Sequence, residues 1–300
     1  MDKVMVILGQ TAVGKTSMSI KIAKALNSEI INGDAMQVYK ELNILTDKIT
    51  PEKMEGIPHH LLNIKSIHEN YSVEEYQKNI RKVIHQINQK GKIPIIVGGT
   101  GLYIKAALFD YTFEEEMISN QVMEKQYENK SNEELYALLQ AIDLPSAEKI
   151  HKNNRRRVIR ALSIYQSTGN TKSDILKKQK KECLFDALII GLELDKEILN
   201  QKIDHRIDEM FTQGIIEEVQ NNPTDTTASK AIGYKEISLY LQNVFSLEEA
   251  KEWMKIHTHQ YAKRQRTFFK NQLSIHWFKN DEFAYDSIIH LIHDKWKDIK

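Results

Sequence analysis

Residues 9–17 read Gly-Gln-Thr-Ala-Val-Gly-Lys-Thr-Ser, so Gly9, Gly14, Lys15 and Thr16 carry the G-x-x-x-x-G-K-T spacing of a phosphate cradle. Glycines at that spacing let successive backbone N–H groups converge on phosphate oxygens at a helix N-terminus. Lys15 adds a point charge, and the Thr16 hydroxyl can ligate Mg²⁺. An acid stands near in sequence: Asp34 closes the run Glu29-Ile30-Ile31-Asn32-Gly33. In an open parallel sheet, ligands collect at the carboxyl ends of the strands, which would aim Asp34 at the same crevice as Lys15. An aspartate there can equally make a turn or cap a helix. A loop built for a nucleoside triphosphate would also call for an apolar strand ending in a Mg²⁺-binding acid. Ile93–Val97 leads only into Gly98-Gly99-Thr100-Gly101, and the run from Ala187 reaches Asp195, which could as well cap the next helix.

The elements that must position these groups follow from periodicity. Val4–Leu8 reads as a buried parallel strand, and Ile20, Ala23 and Leu26 mark the helix that the glycine loop opens. Glu29–Asn32 would form a second parallel strand beside the first. Residues 111–145 differ in character, being acidic, helical and glycine-free, with a capping box at Ser131 and Glu134 and a stripe of Leu135, Leu138, Leu139 and Ile142. The expected fold is α/β, a P-loop NTPase-like parallel sheet flanked by helices, with an inserted small helical domain. Residues 1–110 and 146–300 would form the core and its C-terminal helices, and 111–145 the insertion.

Composition narrows the classes. In 300 residues, 42 basic side chains face 41 acidic ones, so any polyanion-binding surface must come from local clustering. The densest cluster is Arg155-Arg156-Arg157-Val158-Ile159-Arg160, opening a helix with Val158, Leu162 and Tyr165 on its buried side and Gly169 at its end. Tyr261–Lys270 interleaves aromatics with cations, either a core face or a second nucleic-acid contact. One cysteine, Cys183, excludes an internal disulfide framework and fits a reducing compartment. No stretch approaches membrane-spanning length, so the expectation is a soluble cytoplasmic protein. His59-His60 and His257-x-His259 lack the further ligands of a metal site.

After the glycine loop come, in order, GDAMQVYKELNILTDK from residue 33, IPHHLLN from 57, IVGGTGLYIKAAL from 96, NNRRRVIRAL from 153 and AIGYKE from 231. In this set the chain resembles the tRNA dimethylallyltransferases, or tRNA isopentenyltransferases, over nearly its whole length. The resemblance implies transfer of a dimethylallyl group from its diphosphate to the exocyclic amine of adenosine 37, in the anticodon stem-loop of tRNA, with Mg²⁺. The cradle of Gly9, Thr11, Ala12, Val13, Gly14, Lys15 and Thr16 would then hold the diphosphate of dimethylallyl diphosphate, with Mg²⁺ at Thr16. Asp34 becomes the base, and Lys15, Thr16, Thr100 and Arg206 complete the catalytic set.

The resemblance also implies tRNA contacts at Asp34, Ala35, Met36, Gln37 and Thr100, with Gln37 bonding the target base. Further contacts would fall on Met123, Arg156, Arg157, Val158, Ile159 and Arg160. Arg206 lies off an apolar stripe of Ile207, Met210, Phe211, Ile215 and Val219, where an arginine can otherwise be a solvated ion-pair partner. Some residues depart from the family pattern: Ala35 for a serine, ILTDK for Gly-Thr-Ala-Lys, Met123 for an arginine, and His259 and Phe269 for arginine and tryptophan. The expected species is a monomer. A P-loop small-molecule kinase, a prenyltransferase acting on free adenine nucleotides and an RNA-binding protein with an inactive P-loop are the competing readings.

Overall fold

The computed structural model describes residues 1–111, 120–178 and 182–297, leaving the side chains of residues 120 and 121 aside. In chain order the first part runs β1 (Lys3–Gly9), α1 (Lys15–Ala25), β2 (Ile30–Asn32), β3 (His59–His60), α2 (Val73–Gln89), β4 (Ile95–Gly98) and α3 (Gly101–Leu108). Next come α4 (Asn120–Gln126), α5 (Asn132–Ile142), α6 (Leu144–Ala147), α7 (Arg155–Thr168) and α8 (Lys172–Lys178). The remainder is β5 (Asp186–Glu193), α9 (Lys196–Thr212), α10 (Ile215–Asn221), α11 (Tyr234–Leu241), α12 (Leu247–Gln272), β6 (His276–Lys279) and α13 (Ala284–Lys295).

All described strands join one parallel sheet in the order β3-β2-β4-β1-β5-β6. Val4–Leu8 of β1 and Ile95 and Ile96 of β4 are fully buried, as strands covered by helices on both faces must be. This is the expected P-loop NTPase-like sheet. One adjacency differs from expectation: β2 does not pair with β1, because β4 lies between them and bonds both. The Gly98–Gly101 turn therefore emerges between the phosphate loop and Asp34. The apolar stripe expected from Ile207 to Val219 is broken by Gly214, which takes φ 96° and separates α9 from α10.

The chain divides into two compact units, Met1–Leu108 with Cys183–Lys300, and Phe109–Glu182. The inserted unit thus extends past residue 145 to include the arginine-rich helix, correcting the sequence boundary. Its core explains why: Leu135 and Leu139 of α5, Met123 of α4 and Val158, Ile159 and Leu162 of α7 are buried together. The Ser131–Glu134 capping box forms, whereas Leu138 and Tyr165, expected inside, are exposed. Residues 112–119 of the acidic stretch lie outside the described residues. Among the described residues no helix is long and apolar enough to cross a membrane.

At the amino-terminal end of β2, buried Glu29 accepts from Lys90 (2.9 Å), Lys92 (3.3 Å) and His60 (2.8 Å). Burial would raise its pKa, but the bonds from Lys90, His60 and Lys92 prevail and hold it down at about 2. A depressed carboxylate stabilises the fold above its unfolded value and loses that contribution as pH falls through the folded one. Glu29→Gln should destabilise the protein by about 2–4 kcal/mol at neutral pH. In urea melts the gap to the parent should close between pH 4.5 and 2.

Candidate active site

The loop after β1 folds as its spelling requires. Gly14 sits at φ 94° at the start of α1, a setting that costs a side chain dearly, and Ala12 is held at φ 62°. Such left-handed residues turn consecutive N–H groups to one side, which makes an anion-binding nest. Thr11, Ala12, Gly14, Lys15 and Thr16 line a cavity of about 680 Å³. Gly9 and Val13 shape the loop from behind it: the Gly9 carbonyl accepts from Lys15 Nζ at 3.1 Å and the Val13 carbonyl from Asn280 Nδ2 at 2.7 Å. One expected phosphate donor is already used, since the Thr11 N–H donates to Gln265 Oε1 at 2.8 Å.

Lys15 Nζ also donates to the Gln10 carbonyl at 2.8 Å. Burial lowers the pKa of Lys15 to about 8, with Arg206 pushing the same way and Asp34 and Asp47 opposing. Arg206 projects from α9 away from the buried Ile203, Ile207 and Met210. Its Nη2 donates to Thr11 Oγ1 at 2.7 Å and its Nη1 pairs with Asp47 at 3.1 Å, while its buried Nε has no hydrogen-bond partner among the described residues. The arginine is thus both an ion-pair partner and a cavity wall.

A second cavity of about 410 Å³ is more apolar, walled by Met36, Leu45, Ile207, Met210 and Met254. Ala35, Thr100 and Tyr261 supply its other side. Asp34, Thr11, Thr46 and Arg206 line both cavities. Asp34 Oδ1 accepts from the Met36 N–H at 2.9 Å, so the turn-making aspartate and the cavity-lining carboxylate are one residue. Thr100 Oγ1 accepts from the Ala35 N–H at 3.1 Å and so ties the Gly98–Gly101 turn to the Asp34 loop. Gln37 lines the phosphate-side cavity and donates to the Thr46 carbonyl at 3.0 Å; it does not reach the apolar one. Asp195 pairs with Lys279 at 2.7 Å and is no part of either lining.

Thr16 is exposed at the first turn of α1 and faces the larger cavity. Among the described residues no cluster of three or more His, Cys, Asp or Glu side chains could hold a metal. A hydroxyl beside a phosphate nest suits a hard cation that takes most of its oxygens from phosphate and water.

In the inserted unit, Arg156 and Arg157 are exposed on α7 and Arg160 is half-buried, its pKa lowered by that burial. Arg155 serves the fold: Nη1 donates to the Lys130 carbonyl at 2.7 Å and Nη2 to the Tyr127 carbonyl. Val158, Ile159 and Met123 are buried in the unit's core, so their side chains offer no surface to a nucleic acid. Of the six positions expected to touch tRNA, these three could therefore do so only through the main chain. Lys172 of α8 extends the basic face; burial, then Arg157 and Arg160, lower its pKa.

A family model described as IPP transferase matches residues 37–272. The chain belongs to the IPP transferase family. Among curated members, the tRNA dimethylallyltransferase of Anoxybacillus flavithermus is 48% identical over 98% of this chain and 97% of its own length. The crystal structure of tRNA delta(2)-isopentenylpyrophosphate transferase from Staphylococcus epidermidis is 40% identical, with a TM-score of 0.73 over 98% of this chain and 100% of that one. A eukaryotic dimethylallyltransferase, described as acting on tRNA, is 32% identical with a TM-score of 0.84, covering all of this chain and 81% of that one.

As an IPP transferase, the chain carries site residues that its local patterns did not disclose. Lys48 is buried and donates to the Tyr39 carbonyl and to Asn43 and Asn63 side-chain oxygens, fixing the loop that bears Asp47. Glu218 of α10 accepts from three consecutive N–H groups, Asn43, Ile44 and Leu45, at 2.8–2.9 Å. The ILTDK departure was the only local sign of this loop, and nothing near residue 218 marks its partner.

Proposed function

We infer that this protein transfers a dimethylallyl group from dimethylallyl diphosphate to the exocyclic amine of adenosine 37 in the anticodon loop of tRNA, releasing diphosphate. The observation that carries the reading is that Asp34 lines both the cavity at the glycine loop and the more apolar one. Such a carboxylate can meet a nucleophile at the carbon whose leaving group sits in the nest. The amine nitrogen forms a bond to the allylic carbon as its C–O bond breaks, and that electron pair leaves on the diphosphate. The proton lost from nitrogen passes to the Asp34 carboxylate.

Charge on the departing group is met by Lys15, by Arg206 and by the N–H groups from Ala12 to Thr16. The Thr16 hydroxyl would hold Mg²⁺, which when bound would supply Lewis-acid neutralisation of that charge. The dimethylallyl group and the base fit the apolar cavity, where Ala35, Met36 and Thr100 stand. Gln37, the residue expected to bond the base, stands on the wall of the larger cavity with its amide donated to the Thr46 carbonyl. On the inserted unit, Arg156, Arg157, Arg160 and Lys172 suit phosphates of the anticodon arm, and an adenosine must leave its stack to react.

Incubation with dimethylallyl diphosphate, Mg²⁺ and unmodified tRNA should yield prenylated adenosine and one diphosphate per transfer. Phosphorylation of a small molecule at the expense of ATP would overturn the reading. Arg157→Ala should weaken tRNA binding about tenfold and reduce the slope of log affinity against log salt by roughly one unit. A filter-binding series from 50 to 300 mM salt, roughly the range over which such slopes are resolved, checks this.

A further inference from the structure

Three loops must keep a fixed spacing for this chemistry: the phosphate loop, the Gly98–Gly101 turn and the loop bearing Asp34. The second and third are tied by backbone contacts. Gly33 N–H donates to the Val97 carbonyl at 2.7 Å, Thr100 N–H to the Gly33 carbonyl at 3.3 Å, and Ala35 N–H to Thr100 Oγ1 at 3.1 Å. The first loop is joined to them by a side chain far away in sequence. Gln265 of α12 is buried; its Oε1 accepts from the Thr11 N–H at 2.8 Å and its Nε2 donates to the Gly99 carbonyl at 2.9 Å.

The amide orientation follows from chemistry, since a backbone N–H needs an acceptor and a carbonyl a donor. The fit leaves no room to spare. A methyl group on Gly99 would stand 2.2 Å from Gln265 Nε2, and one on Gly98 would stand 2.2 Å from the Gly33 backbone. Four residues earlier on the same helix face, Tyr261 lines the apolar cavity with Thr100 and Gln265 as polar partners of its hydroxyl. Gln10 Nε2 adds a bond to the Ala262 carbonyl at 3.1 Å. This stretch of α12 therefore spans the gap between leaving-group site and base.

We propose that Gln265 is a positioning residue, whose two hydrogen bonds hold the diphosphate loop at the distance from the Thr100 turn, and so from Asp34, that in-line transfer requires. Gln265 is part of neither cavity lining. Its effect should fall on turnover, because a misplacement of about 1 Å between reacting groups can slow a reaction 10²-fold while leaving binding contacts in place. The proposal rests on the transferase reading above, and its test separates the two.

The full-length protein and its Gln265→Ala and Gln265→Glu variants are assayed with dimethylallyl diphosphate and unmodified tRNA, alongside thermal melts and amide hydrogen exchange. Gln265→Ala should lower kcat about 10²-fold. Both KM values should stay within about threefold, and the Thr11 amide should lose its protection. Gln265→Glu keeps the acceptor for Thr11 but offers the Gly99 carbonyl a donor only when protonated. Its kcat relative to the parent should therefore rise as pH is lowered from about 8 to about 6, burial having raised the carboxyl pKa.

A Gln265→Ala variant with kcat within about threefold of the parent overturns the proposal. So does a joint fall of kcat, substrate affinity and melting temperature, which would mark a merely structural side chain. A flat pH ratio for Gln265→Glu overturns it as well. If the parent itself transfers no dimethylallyl group, the functional reading fails, and the exchange experiment alone decides: Thr11 protection unchanged in Gln265→Ala would sink the brace.

Discussion

Asp34→Asn should lower kcat for dimethylallyl transfer by about 10³-fold while leaving the KM for the donor within about threefold. Asparagine is the informative replacement because it retains an oxygen that can accept from the Met36 N–H, the bond at 2.9 Å that sets this loop. The loop, the neighbouring Ala35–Thr100 contact and both cavity walls are then preserved, and what is lost is the ability to take a proton. The exocyclic amine of adenine has its lone pair delocalised into the ring, so it becomes acidic only as the new C–N bond forms. A carboxylate helps at that moment and little before it, which puts the loss on the chemical step. Single-turnover kinetics with saturating donor and tRNA measure that step directly. Turnover within a factor of about ten of the parent would remove Asp34 from the role of base.

The parts of the site that the sequence disclosed are local ones. The phosphate loop is a strand, a glycine turn and a helix within about two dozen residues, and its meaning lies in backbone geometry that the glycines themselves report. Asp34, Thr100 and Arg206 became legible only through the resemblance of whole segments, since each alone has an ordinary structural use. The structure keeps part of that ordinary use: Asp34 does organise a turn, and Arg206 does pair with an acid. What stayed hidden are long-range pairings. Gln265 meets Thr11, Asn280 meets Val13 and Glu218 meets the loop at residues 43–45 across separations that no periodicity encodes. The place of β4 between β1 and β2 is of the same kind, because strand order is decided by packing of the whole sheet.

In the inserted unit, what the sequence left unsaid has a different source. A motif of consecutive residues on a helix cannot present every side chain to one partner, because positions along α7 point in turn to solvent and to the core. The 3.6-residue period separates Arg156, Arg157 and Arg160 from Val158 and Ile159, which are buried with Met123 and Leu135. The same burial moved the unit's boundary, since a helix that completes a core belongs to the unit whose core it completes. Its arginines are thereby mounted on a packed platform, with Arg155 bonded to carbonyls of the turn that follows α4.

Lys15→Met should reduce kcat/KM for the donor by roughly 10²–10³-fold, and in the parent the donor affinity should itself depend on pH in a way the variant abolishes. Burial holds the Lys15 ammonium at a pKa of about 8 in the free protein. Below that value the lysine is charged and ready for a diphosphate. Above it the side chain is neutral, and binding the anion must draw in a proton, so apparent affinity should fall by up to about tenfold per pH unit as pH rises from 8 toward 10. The folding equilibrium runs the other way: a lysine whose pKa is lowered on folding binds fewer protons folded than unfolded. Its burial therefore becomes less costly as pH rises from 8 to 10.5. Lys48, on the wall of the same cavity, is also held near 8 by burial, so it is the loss of uptake in Lys15→Met that assigns the proton. Calorimetric titration with inorganic diphosphate and Mg²⁺ in two buffers of different ionisation enthalpy reads the proton uptake without any turnover. Uptake above pH 8 in the parent that persists unchanged in Lys15→Met would assign the proton to another group and leave the cradle lysine without its titrating role.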